Sequence, residues 1–77
     1  PPWQAHDLAA LDDAVRGRVW RLAARETGVP LGSLSHRHVA EADRLLLDYR
    51  GQAGVSWPGG HIVRRRGPHV SIEPPVD

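Results

Sequence analysis

Apolar residues recur at three- and four-residue spacing from Leu8 through Leu11, Val15 and Val19 to Leu22. That period lays one face of an α-helix against a core. Asp7 or Asp12 is placed to cap its start, and Asp12 and Asp13 suit a first turn. Gly28, with Pro30 just beyond, ends it, so helix one is predicted to run to about Thr27. Residues 29–34 form a connector. Ser35 then caps a second helix whose apolar stripe is Val39, Ala42, Leu46 and Tyr49, flanked by Leu45, and Gly51 closes it. Two helices on a short connector should pack as an antiparallel or steeply crossed pair.

After Gly51 the period changes from 3.6 to 2. Val55 and Trp57 alternate with Ser56, and Pro58-Gly59-Gly60 has the composition of a type II turn. His61 to Arg66 forms a second strand, Gly67-Pro68 turns again, and Val70 and Ile72 alternate with Ser71 and Glu73. The predicted fold is α+β: two packed helices followed by a small three-stranded antiparallel β-meander. So small a sheet is stable only with its apolar face covered by the helices. Residues 1–9 are expected to be linker, residues 10–73 the folded domain and residues 74–77 a tail.

Seventy-seven residues allow one compact domain. Hydrophobic residues make up 40% and charged residues 25%, values of a globular chain rather than a disordered one. The absence of cysteine rules out disulfides and thiolate zinc sites and fits a reducing, cytoplasmic setting. No apolar run approaches the roughly 20 residues of a membrane span, so no membrane partner is expected. Self-association is left open.

Net charge is only +1, yet all ten basic residues are Arg. Arg forks bind phosphate bidentately and stack on bases, but abundant Ala and Gly also point to a GC-rich genome. Position therefore matters more than count. Arg18, Arg21 and Arg25 fall on one flank of helix one with no acid at i±3 or i±4. Like charges at that spacing repel, so an anionic partner is one reading and a solvated flank the other. On helix two, Arg37/Glu41 and Arg44/Asp48 have ion-pair spacing and imply no ligand. Arg64-Arg65-Arg66 is a basic run on a strand, with Arg64 and Arg66 on one face and Arg65 on the other. It serves either as a phosphate-contacting stripe or as a charged strand that discourages edge pairing.

The five histidines do not converge on a metal-ligand spacing; His38 belongs to the core face of helix two or to its cap. Trp20 points away from the stripe, towards the meander or a neighbouring domain, and Trp57 should anchor the meander. No Ser or Thr has a base-and-orienter arrangement, and Pro58-Gly59-Gly60 lacks the Lys and Ser/Thr of a phosphate-binding loop. Nothing suggests a catalytic site, metal or cofactor in these residues.

Several segments, in order, resemble the tRNA(Ile)-lysidine synthetase family. Residues 15–21 (VRGRVWR) resemble its Arg-x-Arg-(Val/Leu)-x-Arg helix, and residues 35–39 (SHRHV) the start of the next helix. Residues 47–54 (LDYRGQAG) are similar to the stretch before its hairpin, and Trp57-Pro58-Gly59-Gly60 with Val63-Arg64-Arg65 to its Leu-Pro-Gly-Gly turn and basic strand. The resemblance runs from Leu11 to Ile72. It implies a domain that holds tRNA(Ile) beside an N-terminal catalytic domain. That partner domain, with its Ser-Gly-Gly-x-Asp-Ser loop, ATP and Mg, adenylates the wobble cytidine and joins lysine to it. Arg16, Arg18 and Arg21 match the basic helix, and Arg64 and Arg65 the basic strand; Arg25 and Arg66 extend the two rows into an expected RNA-contacting set. The alternatives are a winged-helix DNA-binding domain, against which the charge-paired outer face of helix two counts, and a protein-interaction module docking through Trp20 and an apolar flank.

Overall fold

The computed structural model describes residues 2–76. Its elements are β1 (Trp3–Gln4), α1 (Ala5–Ala9), α2 (Asp13–Glu26), α3 (His36–Leu47), β2 (Gly54–Trp57), β3 (His61–Arg66) and β4 (His69–Glu73). The strands form one antiparallel sheet in the order β1-β4-β3-β2. No helix among the described residues is long and apolar enough to cross a membrane.

The α+β class and the β2–β3–β4 meander match the sequence prediction, but there are four strands rather than three. The extra strand comes from the segment expected to be linker. Trp3 pairs with Val70 and Gln4 with His69, and α1 buries Ala5 and Leu8. Two residues of strand and five of helix are too short to carry a period, which is why the pattern missed them. Pro1 and Asp77, at the ends of the expected linker and tail, lie outside the described residues.

Alternation sorts the sheet into two faces. Trp57, Val63, Val70 and Ile72 point inward and are buried against the helices, while Arg64, Arg66, His69 and Ser71 point outward. The core joins Trp20, Ala24, Leu45, Trp57 and Val63. Trp20 meets Trp57 edge to face at 5.7 Å between ring centroids, a favoured geometry for aromatic pairs. The Trp57 indole donates to the His38 carbonyl at 3.0 Å, tying β2 to the start of α3.

The caps follow the chemistry of the sequence. Asp12 Oδ1 accepts from the Ala14 and Val15 amides at 2.9 and 3.1 Å, satisfying donors that open α2. At α3 the Ser35 amide donates to His38 Nδ1 at 2.9 Å, so His38 is a capping residue. Between β2 and β3, Gly59 adopts φ 74° and ψ 19° and Gly60 φ 78°, a left-handed region that glycine enters without steric cost.

The face of α2 that meets the core is not the one predicted. The expected core stripe was Leu8, Leu11, Val15, Val19 and Leu22; Leu8 is buried and Leu11 and Val19 pack against the core, but Val15 and Leu22 are exposed, Leu22 to 58%. The buried side chains are Arg16, Trp20, Ala23 and Ala24, roughly a third of a turn further round the helix. Two alanines let α2 approach closely on this side. Trp20 brings more apolar area than any aliphatic residue of the other stripe, and its polar atom has a partner inside.

Candidate nucleic-acid interface

Arg16 is 2% exposed, the most enclosed charge among the described residues. Its Nε donates to Asp43 Oδ1 at 2.9 Å, Nη1 to the Leu11 carbonyl at 2.8 Å and Nη2 to Asp13 Oδ1 at 2.5 Å. Asp43 Oδ1 also accepts the Trp20 indole N–H at 2.7 Å. The Asp43 hydrogen bond raises the Arg16 pKa against the opposing effect of burial, with Asp13 adding to it. Arg16, expected on the RNA-contacting helix, therefore stands in the α2–α3 interface and presents no guanidinium to solvent.

Arg18, Arg21 and Arg25 lie on the opposite side of α2. Arg18 and Arg25 are exposed and Arg21 half-buried. Among the described residues none of the three has a carboxylate within 4.0 Å or a side-chain hydrogen bond. The row is uncompensated in three dimensions as well as in sequence. Beside it Val19, Leu22 and Ala23 line, with Trp3, an apolar groove along the helix.

Helix α3 differs from expectation in one pair. Arg44 reaches Asp48 at 4.0 Å, which also pairs with Arg50 at 3.0 Å, but Arg37 and Glu41 form no ion pair within 4.0 Å. Their four-residue spacing permits a pair without enforcing one, and exposed pairs gain little from closing.

The basic strand divides by alternation. Arg65 points inward: Nη1 donates to the Leu45 carbonyl at 2.7 Å, Nε to the Gly67 carbonyl at 2.8 Å, and its guanidinium lies 4.2 Å from the Tyr49 ring centroid. It fastens β3 to the last turn of α3, where backbone carbonyls lack helical partners. Arg64 and Arg66 point outward. Arg64 Nε and Arg66 Nη1 donate to the two oxygens of Glu73 at 3.0 and 2.8 Å, and the Arg64 bond, followed by the Arg66 bond, lowers the Glu73 pKa. Arg66 is 70% exposed and Arg64 25%.

Seven arginines expected in one interface are thus dispersed. Among the described residues three stand free on the outer side of the helix layer, two stand paired on the outer side of the sheet, and two, buried Arg16 and half-buried Arg65, are bonded into the fold. Glu73 went unrecognised as their partner. The signal was present, since Ile62 pairs with Glu73 and Arg64 with Ser71 across β3 and β4, but finding it requires the register.

Fold and surface together define a two-layer α+β module with arginines on both outer faces. Residues 4–68 match the family model described as the TilS substrate binding domain, and the chain belongs to that family. Its relatives are named tRNA(Ile)-lysidine synthase. The protein of Streptomyces coelicolor is 46% identical over 65 residues, 84% of this chain and 18% of the relative. That of Salinispora tropica is 47% identical over 68 residues, 87% and 20% of the two chains. That of Thermobifida fusca is 38% identical over 68 residues, 88% and 21%. The chain spans about a fifth of the length of these relatives. No solved structure matches it significantly. The relatives' names agree with the family resemblance rather than with a winged-helix DNA-binding domain.

Proposed function

We propose that this chain is the tRNA-binding, substrate-recognition domain of a tRNA(Ile)-lysidine synthase, and that the outer face of α2 is its principal RNA contact. The observation that carries this is the row Arg18, Arg21 and Arg25, three guanidinium groups without an acid partner among the described residues. Such a row lowers its own repulsion by binding phosphates and releasing their counterions. Family membership supplies tRNA(Ile) as the anion. On this reading ATP, Mg and the lysine-joining chemistry belong to the catalytic part of the same cytoplasmic enzyme, and this domain orients the substrate for it. Arg16 and Arg65 serve the fold, and Arg64 and Arg66 are secondary contacts.

The test is fluorescence anisotropy with a tRNA(Ile) transcript at low salt. The chain should bind with Kd on the order of micromolar or weaker, as expected for mainly electrostatic contacts. R18Q/R21Q/R25Q should weaken binding at least tenfold, about 1.4 kcal/mol. R44Q/R50Q, which removes two arginines already paired with Asp48, should change it little. Equal losses in the two variants, or no binding at all, would refute the assignment.

A further inference from the structure

The outer face of the sheet carries a second cluster with the chemistry of an oxyanion site. In the β3–β4 register Arg64 stands opposite Ser71 and Arg66 opposite His69, and residues directly opposite in a sheet are roughly 5 Å apart. Two guanidiniums, a hydroxyl and an imidazole therefore form a two-by-two array. Gln4 of β1 extends it, its amide 3.3 Å from His69 Nε2. A cavity of about 410 Å³ bordered by Arg66, His69 and Ser71 opens beside the array.

The array already holds an anion, the carboxylate of Glu73, with one oxygen on Arg64 and the other on Arg66. A two-oxygen anion spanning two guanidinium groups has the same donor geometry as a phosphodiester. The carboxylate leaves much of the donor capacity unused. A guanidinium has five N–H groups; Arg66 commits one nitrogen, to Glu73, and Arg64 commits two, to Glu73 and the Ala53 carbonyl.

We propose that Arg64 and Arg66 form a phosphodiester-binding site on the outer face of the sheet, with Glu73 as a built-in competitor that bound RNA displaces. The proposal rests on the RNA-binding reading of the domain. This face points away from the outer side of α2, and the domain measures 29 × 25 × 21 Å. The site therefore meets a different stretch of phosphates from the one lying on Arg18, Arg21 and Arg25. Binding there is weak while Glu73 is seated and strengthens when the carboxylate is neutralised.

Replacing Glu73 by Gln removes the charge and keeps the shape. E73Q should bind tRNA(Ile) three- to tenfold more tightly at low salt, with the dependence of log K on log salt steeper by about one phosphate contact. R64Q/R66Q/E73Q should lose the gain. An E73Q variant that is folded under the binding conditions and binds no more tightly overturns the proposal. If E73Q does not fold, the Arg64 and Arg66 Nε resonances of the unaltered chain decide: they should move on titration with RNA, and resonances that stay fixed overturn it. Resonances that move with inorganic phosphate but not with RNA likewise overturn it. The two readings separate in the R18Q/R21Q/R25Q background. A persisting E73Q gain there upholds the sheet site whatever the helix row does, and a helix row that matters without any E73Q gain sinks the sheet site alone.

Discussion

The Arg16 guanidinium donates to the Asp43 carboxylate at 2.9 Å across the α2–α3 interface, and the same oxygen takes the Trp20 indole N–H. One carboxylate thus reconciles a buried charge and a buried indole with an apolar core. Removing one partner of a buried pair costs more than the pair contributes, because the other charge is left unpaired. Asp43→Ala should therefore destabilise the domain by about 3 kcal/mol, read as a lower urea midpoint at unchanged slope. Replacing the pair by apolar residues, as in R16M/D43L, should not restore full stability, since Trp20 would lose its acceptor. A loss below about 1 kcal/mol for D43A would reduce the pair to a surface contact.

That pair also marks where sequence reasoning reached its limit. The strands β2 to β4, the turns and the caps were legible because each depends on neighbours: Asp12 before α2, His38 three residues after Ser35, the glycines after Pro58. Family membership was legible from the order of several short motifs. The core face of α2 was not, because Arg16 and Trp20 are internal only once Asp43 arrives from 27 residues away. For the same reason the arginines looked like one set. Arg18, Arg21 and Arg25 could be judged free from local spacing, whereas the bonds of Arg64 and Arg66 to Glu73 and of Arg65 to Leu45 depend on pairing and packing.

The turn between β2 and β3 should tolerate change at one glycine better than at the other. A Cβ on Gly59 would sit 2.9 Å from Pro30 Cδ, in a ring held against the turn, and φ is +74°. The left-handed conformation alone costs roughly 1–2 kcal/mol for a residue with a side chain, and the clash adds to it. Gly60 shares the backbone conformation, but its Cβ would meet Pro75 in the exposed C-terminal segment at 3.0 Å, which has room to shift. G59A should therefore lower the melting temperature more than G60A, and equal losses would show that the Pro30 contact is irrelevant.

Arg65 should prove a stability residue rather than an RNA contact. Its two backbone bonds and the Tyr49 ring hold the half-buried guanidinium against the hairpin end. R65Q should cost about 2 kcal/mol, from charge-assisted bonds to Leu45 and Gly67 and the lost cation–π contact. R65K should recover only part of this, because an ammonium cannot reproduce the planar fork. Under conditions where R65Q is fully folded, its tRNA affinity should stay within about threefold of the unaltered chain, roughly 0.65 kcal/mol. A larger loss would place Arg65 in the interface.

Glu73 gives the domain an acid-side dependence of known sign. The Arg64 and Arg66 bonds favour the carboxylate, so its folded pKa lies below the ordinary value of 4.5. A group depressed in the folded state contributes stability above its unfolded pKa, and that contribution is lost as pH falls through the folded one. This contribution should thus be level above about pH 5.5, a unit above the unfolded value. It should fall progressively below 4.5. E73Q should lack this share of the acid loss, so urea midpoints of the two proteins should differ most at neutral pH and converge below the folded pKa. The same titration should act oppositely on RNA affinity: protonating Glu73 releases Arg64 and Arg66, so binding should tighten more on acidification in the unaltered chain than in E73Q. Parallel midpoint curves for the two proteins would show that the three side chains do not titrate as a unit.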